Sequence, residues 1–232
     1  MPDGLLLAQQ QATVVDVDGT VLDGRRIVGG LIVRADNVTI TRSQIEGNRR
    51  LVVECDGCTG LRIEDSTIFG TGDATQGCVG RSDYTLRRVL ISGCIDGAKA
   101  NARVLIEDSW IGDLRRVGSS HNDAVQGTGG NDIVIRRNQL VHDTGGQTSA
   151  MKQSADRAPL TNIVVEQNRL ITSTCLALYV NIQSGASWPA PTGRIVDNVV
   201  SGNTCPDWGR LDRGPGLLIE GNTDPDGLAL AA

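Results

Sequence analysis

The chain has 232 residues, a net charge of −5, six Cys, 29 Gly and only three Trp, two Tyr and one Phe. Apolar residues at 39% exclude wholesale disorder, and the longest apolar runs fall far short of the about 20 residues that span a bilayer. A net-acidic chain lacks the basic field of a non-specific nucleic-acid binder, so neither membrane nor nucleic acid is an expected partner.

From the N-terminus, residues 1–13 read as a cap: Asp3 can N-cap a short helix whose leucines plug the first coil of a repeating rod. No charged n-region with an apolar stretch and a cleavage site stands there.

From residue 14 to 223 one pattern recurs: aliphatic, two polar residues, Ser or Asn, one variable residue, aliphatic. It reads Ile40-Thr-Arg-Ser43-Gln-Ile45, Ile63-Glu-Asp-Ser66-Thr-Ile68 and Ile106-Glu-Asp-Ser109-Trp-Ile111. It continues as Ile135-Arg-Arg-Asn138-Gln-Leu140, Val165-Glu-Gln-Asn168-Arg-Leu170 and Ile195-Val-Asp-Asn198-Val-Val200. Weaker copies begin at Leu22, Leu86 and Ile219. A period of about 20 to 30 residues is that of one solenoid turn. The Val, Ile and Thr content, punctuated by Gly, Asn and Asp, gives strands and no helical period. The expected fold is all-β: a single-domain parallel β-helix of about nine coils, with residues 224–232 as a C-terminal tail. At the fixed Ser/Asn position, Asn tolerates left-handed geometry and can hydrogen-bond between coils.

Counted from the repeat, Cys55 and Cys78 occupy one offset on adjacent coils, and Cys175 and Cys205 another. Equivalent offsets lie about one strand spacing apart, within disulfide reach, so each pair is either a disulfide or two buried thiols. Cys55-Asp-Gly-Cys58 is a lone C-x-x-C in a chain with two His, which does not make a zinc site. No cofactor is expected; Ca²⁺ at carboxylates such as Asp16 and Asp18 is the one metal the pattern would accommodate.

The later coils are longer, and their extra residues must leave the rod as loops over 112–123, 141–149, 155–162 and 183–193, walling a groove along coils four to eight. Ser119-Ser-His121-Asn-Asp123-Ala-Val-Gln126 lies there, followed on the next coils by Ser149-Ala-Met-Lys152-Gln153 and Leu178-Tyr179-Val-Asn181. If Val125 and Met151 point inward, strand alternation turns Gln126 and Lys152 outward on adjacent coils. The expected reaction residues are His121, Asp123 and Lys152. Lys99, Gln126, Gln153, Tyr179, Asn181 and Trp188 are the expected substrate contacts, the two rings being placed for sugar stacking. A lyase would use Lys152 or His121 as base, with Lys99 or an Arg against the uronate carboxylate. A glycoside hydrolase would instead need two carboxyls, Asp123 with Asp96 or Asp156. The plainer alternative is that His121 and Asp123 only tie a long loop to the rod.

The runs Ala35-Asp-Asn-Val-Thr-Ile40, Asp83-Tyr-Thr-Leu-Arg-Arg-Val-Leu-Ile91, Ser120-His-Asn-Asp-Ala-Val-Gln126 and Asn162-Ile-Val-Val-Glu-Gln-Asn168 resemble the pectate-lyase-like right-handed β-helix proteins of actinobacteria and their phages. That resemblance implies a right-handed helix, carbohydrate binding, and lyase or hydrolase activity. In phages it implies a minor tail or tailspike-like protein. The paired Asp-Asp and Gly-His-Gly motifs of polygalacturonases and an evident pectate-lyase Ca²⁺ cluster are absent from the chain. The expected partners are a polysaccharide or cell-envelope glycan, with a homotrimer or other tail proteins at the rod ends. The expected location is a virion tail, the alternatives being a secreted polysaccharide lyase or hydrolase and a purely structural tail module.

Overall fold

A computed structural model describes residues 7–73, 75–143 and 149–230, and among them are 25 strands and no helix. Sixteen strands form one sheet and nine another, and every strand pairing is parallel. The chain winds as a parallel β-helix with three faces.

The nine-stranded sheet runs from Val21–Asp23 to Leu217–Glu220. The larger sheet is folded into two stacks. One runs from Gln44–Gly47 to Val199–Ser201, the other from Leu51–Cys55 to Gly209–Leu211. Arg25–Val33 joins them, pairing through Ile27↔Ile45 on one stack and Leu31↔Val53 on the other. The bend between falls at Gly29 and Gly30. Gly30 has φ +86°, and a Cβ there would stand 2.7 Å from the Val52 carbonyl oxygen, so only glycine fits the corner.

The repeat maps directly onto this winding. Its first aliphatic residue points inward from the nine-stranded sheet, giving the stack Ile40, Ile63, Leu86, Ile106, Ile135, Val165 and Ile195, all 0% exposed. Its last aliphatic residue points inward from the next face, through Ile45, Ile68, Ile91, Ile111 and Leu140. Each such side chain contributes about 1.5–3 kcal/mol by leaving water. The interior also takes two rings: Tyr84 and Trp208 are buried, and the Tyr84 hydroxyl donates to the Lys99 carbonyl at 2.8 Å.

The Ser/Asn residue sits at the corner between these two faces, but it is not the left-handed residue. That conformation belongs to the residue before it: Arg42, Asp65, Arg88, Asp108, Arg137, Gln167 and Asp197 have φ between 48° and 57°. The Ser or Asn side chain instead turns inward and accepts a hydrogen bond from the backbone of the preceding coil. Asn138 N donates to Asn168 Oδ1 at 2.9 Å, Asn168 N to Asn198 Oδ1 at 3.0 Å, and Asn198 N to Asn222 Oδ1 at 3.0 Å. Side-chain amides link the same residues, so a buried amide ladder runs up the second half of the rod.

Two expectations are corrected. The N-terminal helix is not seen: Ala8–Val15 is a strand pairing with Arg25–Val33, and residues 1–6 lie outside the described residues. The polar Gln9, Gln10 and Gln11 follow the strand alternation and its ladder there. The disulfides join Cys55 to Cys58, Cys78 to Cys94 and Cys175 to Cys205, leaving no free cysteine. Cys175 and Cys205 pair as their shared offset predicts. Cys55 and Cys78 do not, because coil lengths differ: Glu54 stands opposite Gly80, which puts Cys55 and Cys78 on different rungs.

Candidate functional site

On the face that includes Asp96–Ala100, Val125–Gly127, Met151–Ala155 and Leu178–Ile182, alternation is strict at the centre. Ala98, Val125, Met151 and Leu178 are fully buried inside. Their neighbours Lys99, Gln126, Lys152 and Tyr179 share one register on the outside, and Arg210 extends it. Successive members stand about 4.8 Å apart along the rod. Toward the N-terminus the row passes through Gly80 to Glu54, and at Gly80 a Cβ would lie 2.9 Å from Lys99 Cβ. That missing side chain lets Lys99 lean toward the earlier coils.

Beneath the row is a buried carboxylate network. Lys99 Nζ donates to Asp96 Oδ2 and to Gln126 Oε1. Asp96 Oδ1 accepts from the Asp123 backbone N–H at 2.9 Å. Gln126 Nε2 donates to Asp123 Oδ2 at 3.0 Å, while Asp123 Oδ1 accepts from Ser149 N and Oγ at 3.1 and 3.0 Å. Asp123 is 0% and Asp96 4% exposed. Burial, reinforced by the Asp96 carboxylate, pushes the Asp123 carboxyl up to about 6 against the opposing Ser149 hydrogen bonds and Lys152 charge. Burial also raises Asp96, with Lys99 opposing. Tyr179, half-buried, is shifted upward by burial and by the charge of Asp123. Asp96, Lys99, Asp123, Gln126, Lys152 and Tyr179 therefore belong to one electrostatic unit.

The other expected residues fall elsewhere. His121 is exposed on the loop before this strand, whereas its neighbour Asn122 is buried and anchors that loop by donating to the Ile95 and Arg115 carbonyls, both at 2.7 Å. Gln153 points inward and is 0% exposed, with no hydrogen-bond partner for its amide; it faces Gly127 and not the groove. Asn181 is 5% exposed and accepts from Ser154 Oγ at 2.8 Å. Trp188 is exposed on the loop over 183–192, its indole N–H donating to the Asp156 carbonyl at 3.3 Å. Among the described residues no group of three His, Cys, Asp or Glu is placed to hold a metal, Asp16 and Asp18 included.

Toward the earlier coils the same face hollows into a groove of about 680 Å³. Arg50, Arg81, Lys99 and Arg157 line it, with Gln76, Asn101, Gln126 and Asn131 supplying amides, and no carboxylate or ring takes part. Sequence reading passed over these arginines. Nothing in the spacing distinguishes them from the other arginines; only the register brings them to one hollow.

Chemically, the row offers a proton-transfer set in Lys152 and Tyr179 above a carboxyl that titrates near 6. It does not offer the two carboxyls across an open cleft that glycoside hydrolysis uses, since Asp96 and Asp123 lie behind the strands with their oxygens occupied. No protein-family model matches the chain, and no curated protein is significantly similar to it.

Proposed function

We propose that the chain is a right-handed parallel β-helix that binds a polysaccharide along the outer face bearing Lys99, Gln126, Lys152 and Tyr179. The observation that carries this reading is the row itself: donors, an amide and a ring in one register, repeated at strand spacing along the rod. A linear polymer can meet such a row at several successive units, and multiple weak polar contacts then add. The right-handed sense follows from the strong preference of parallel crossovers. Three disulfides and no free thiol favour maturation in an oxidising compartment. We therefore rank a secreted protein above a virion tail component assembled in a reducing cytoplasm.

A second reading, β-elimination on a uronide, is favoured by the adjacency of Lys152 and Tyr179: Lys152 would take the proton α to the carboxylate, and the Tyr179 hydroxyl, kept protonated by burial, would protonate the departing glycosidic oxygen as the C–O bond breaks and the double bond forms. The first test is binding of the folded protein to a glycan array and to isolated cell-envelope polysaccharide. Lys152→Gln with Tyr179→Ala is expected to weaken binding by about ten-fold or more, the scale of losing a charged hydrogen bond. Absence of binding to any glycan overturns the carbohydrate reading. Release of unsaturated uronide, read by its ultraviolet absorbance, separates elimination from binding alone.

A further inference from the structure

We infer that the groove at Arg50, Arg81, Lys99 and Arg157 is an anion-binding subsite, distinct from the Lys152–Tyr179 pair, and that the polysaccharide it receives bears repeated negative groups. This rests on the carbohydrate reading and narrows its substrate class.

The convergence of unpaired guanidiniums in one hollow carries the argument. On this acidic chain, Arg26, Arg34, Arg42, Arg87, Arg88, Arg103, Arg136, Arg137 and Arg194 are each ion-paired with Asp or Glu. Arg81 and Arg157 form no ion pair among the described residues, and there Arg50 bonds only to the neutral Gln76 amide at 3.3 Å. Arg25, Arg49, Arg62, Arg169, Arg210 and Arg213 are likewise without an ion pair, but none of them lines this groove. Three guanidiniums without a carboxylate partner converge on one concavity that no Asp or Glu lines, beside Lys99, whose own charge is balanced by Asp96. In a concave site like charges reinforce one another and raise the local concentration of anions. Guanidinium forks bind carboxylate, sulfate or phosphate oxygens in pairs.

The boundary of the subsite is as informative as its centre. In the next hollow toward the N-terminus, Arg103 is paired with Asp83 at 2.5 Å, and Glu54 and Asp56 join the lining. Arg50 and Arg81 border both hollows, so these carboxylates mark the N-terminal limit of the groove, which is continuous with the outward row through Lys99 and Gln126. A polymer lying along the row would extend into it.

The lining also argues for a glycan over a nucleic acid. Single-stranded nucleic acid is held by basic grooves with rings on which bases stack. This groove has no ring; its neutral polar members are amides suited to hydroxyls.

The test is binding of the full chain to a matched set: dextran, dextran sulfate, polygalacturonate, a glycerol-phosphate polymer and a single-stranded DNA oligonucleotide. At least one anionic glycan is expected to bind about ten-fold or more tighter than dextran, and to weaken steeply with added salt. The three anionic polymers distinguish sulfate, carboxylate and phosphate as the preferred group. Arg81→Gln with Arg157→Gln should remove about ten-fold or more of that affinity with the thermal midpoint unchanged. Arg62→Gln with Arg169→Gln, which removes the same charge elsewhere on the rod, should leave it within about two-fold. Equal losses in the two double variants, or dextran bound as tightly as the anionic polymers, overturns the subsite and leaves the carbohydrate reading standing. Binding of DNA without any glycan, or of nothing in the set or on the glycan array, overturns both.

Discussion

At the scale of single residues, two buried polar groups are the most informative. Asp123 is an acid whose folded value, about 6, is raised above its ordinary 3.8. Between those values the folded chain holds the proton more tightly than the unfolded chain does. Asp123 therefore favours folding fully below about pH 4, and this contribution is lost as pH rises toward 6, by about 3 kcal/mol in all. Thermal unfolding of Asp123→Asn from pH 4 to 7 should lack this falling component relative to the parent chain; parallel curves would show that the carboxyl does not titrate there. Asn168 is held by the opposite logic, neutral and fully used. Its Oδ1 accepts from Asn138 N and Nδ2, and its Nδ2 donates to Ile135 O and Asn198 Oδ1. Asn168→Ala leaves these partners buried and unmatched, and urea denaturation should show a loss of about 3 kcal/mol or more.

At the scale of the turn and the coil, several of the left-handed residues before the Ser/Asn position set local strain against an ion pair. Arg137, with φ 54°, bonds Asp108 at 2.7 Å and Glu107 at 2.9 Å, and Arg88 bonds Asp65 at 2.7 Å. Gln167, with φ 57°, is exposed and shows no such side-chain bond among the described residues. Gln167→Gly should therefore stabilise by about 0.5 kcal/mol, relief of the left-handed strain outweighing the entropy of the added glycine. Arg137→Gly should destabilise, because the Glu107 carboxylate, 2% exposed, loses a cation. Chemical denaturation of the two variants checks the opposite signs. The disulfides divide in the same way. Cys175–Cys205 closes a separation of 30 residues and Cys55–Cys58 one of 3. Replacing the former pair by Ser should cost about 3–4 kcal/mol on loop entropy and the latter far less, as thermal midpoints of the two double variants would record.

At the scale of the molecule, each coil pairs in the sheets only with the coils before and after it, so stability is largely a sum of neighbour contacts and is lowest at the ends. Amide exchange should be slowest in Val104–Glu107 and Gly130–Arg136 and fastest in Val21–Asp23 and Leu217–Glu220. Uniform protection along the rod would contradict a neighbour-limited solenoid. Those same ends leave Val17, Val21 and Leu228 more than 60% exposed.

The coil period, the parallel all-β class, the inward aliphatic stacks and the outward row Lys99, Gln126, Lys152 and Tyr179 were legible in the residues alone. A solenoid repeats its local chemistry once per turn, and alternation along a strand then assigns each side chain a face. Depth and cross-coil register were not legible. Asp123 and Asn181 read as open site residues and proved to be buried, Gln153 turned inward, and Cys55 found Cys58 because unequal coil lengths shift the rungs. The arginine groove was invisible for the same reason: Arg50, Arg81 and Arg157 stand far apart along the chain and share no motif. The sequence by itself determined the alternation of the regular strands, and with it the facing of their central side chains, Gln153 and Asn181 excepted. Only the tertiary structure decided which of them meet, because contacts between coils depend on how much chain each turn consumes.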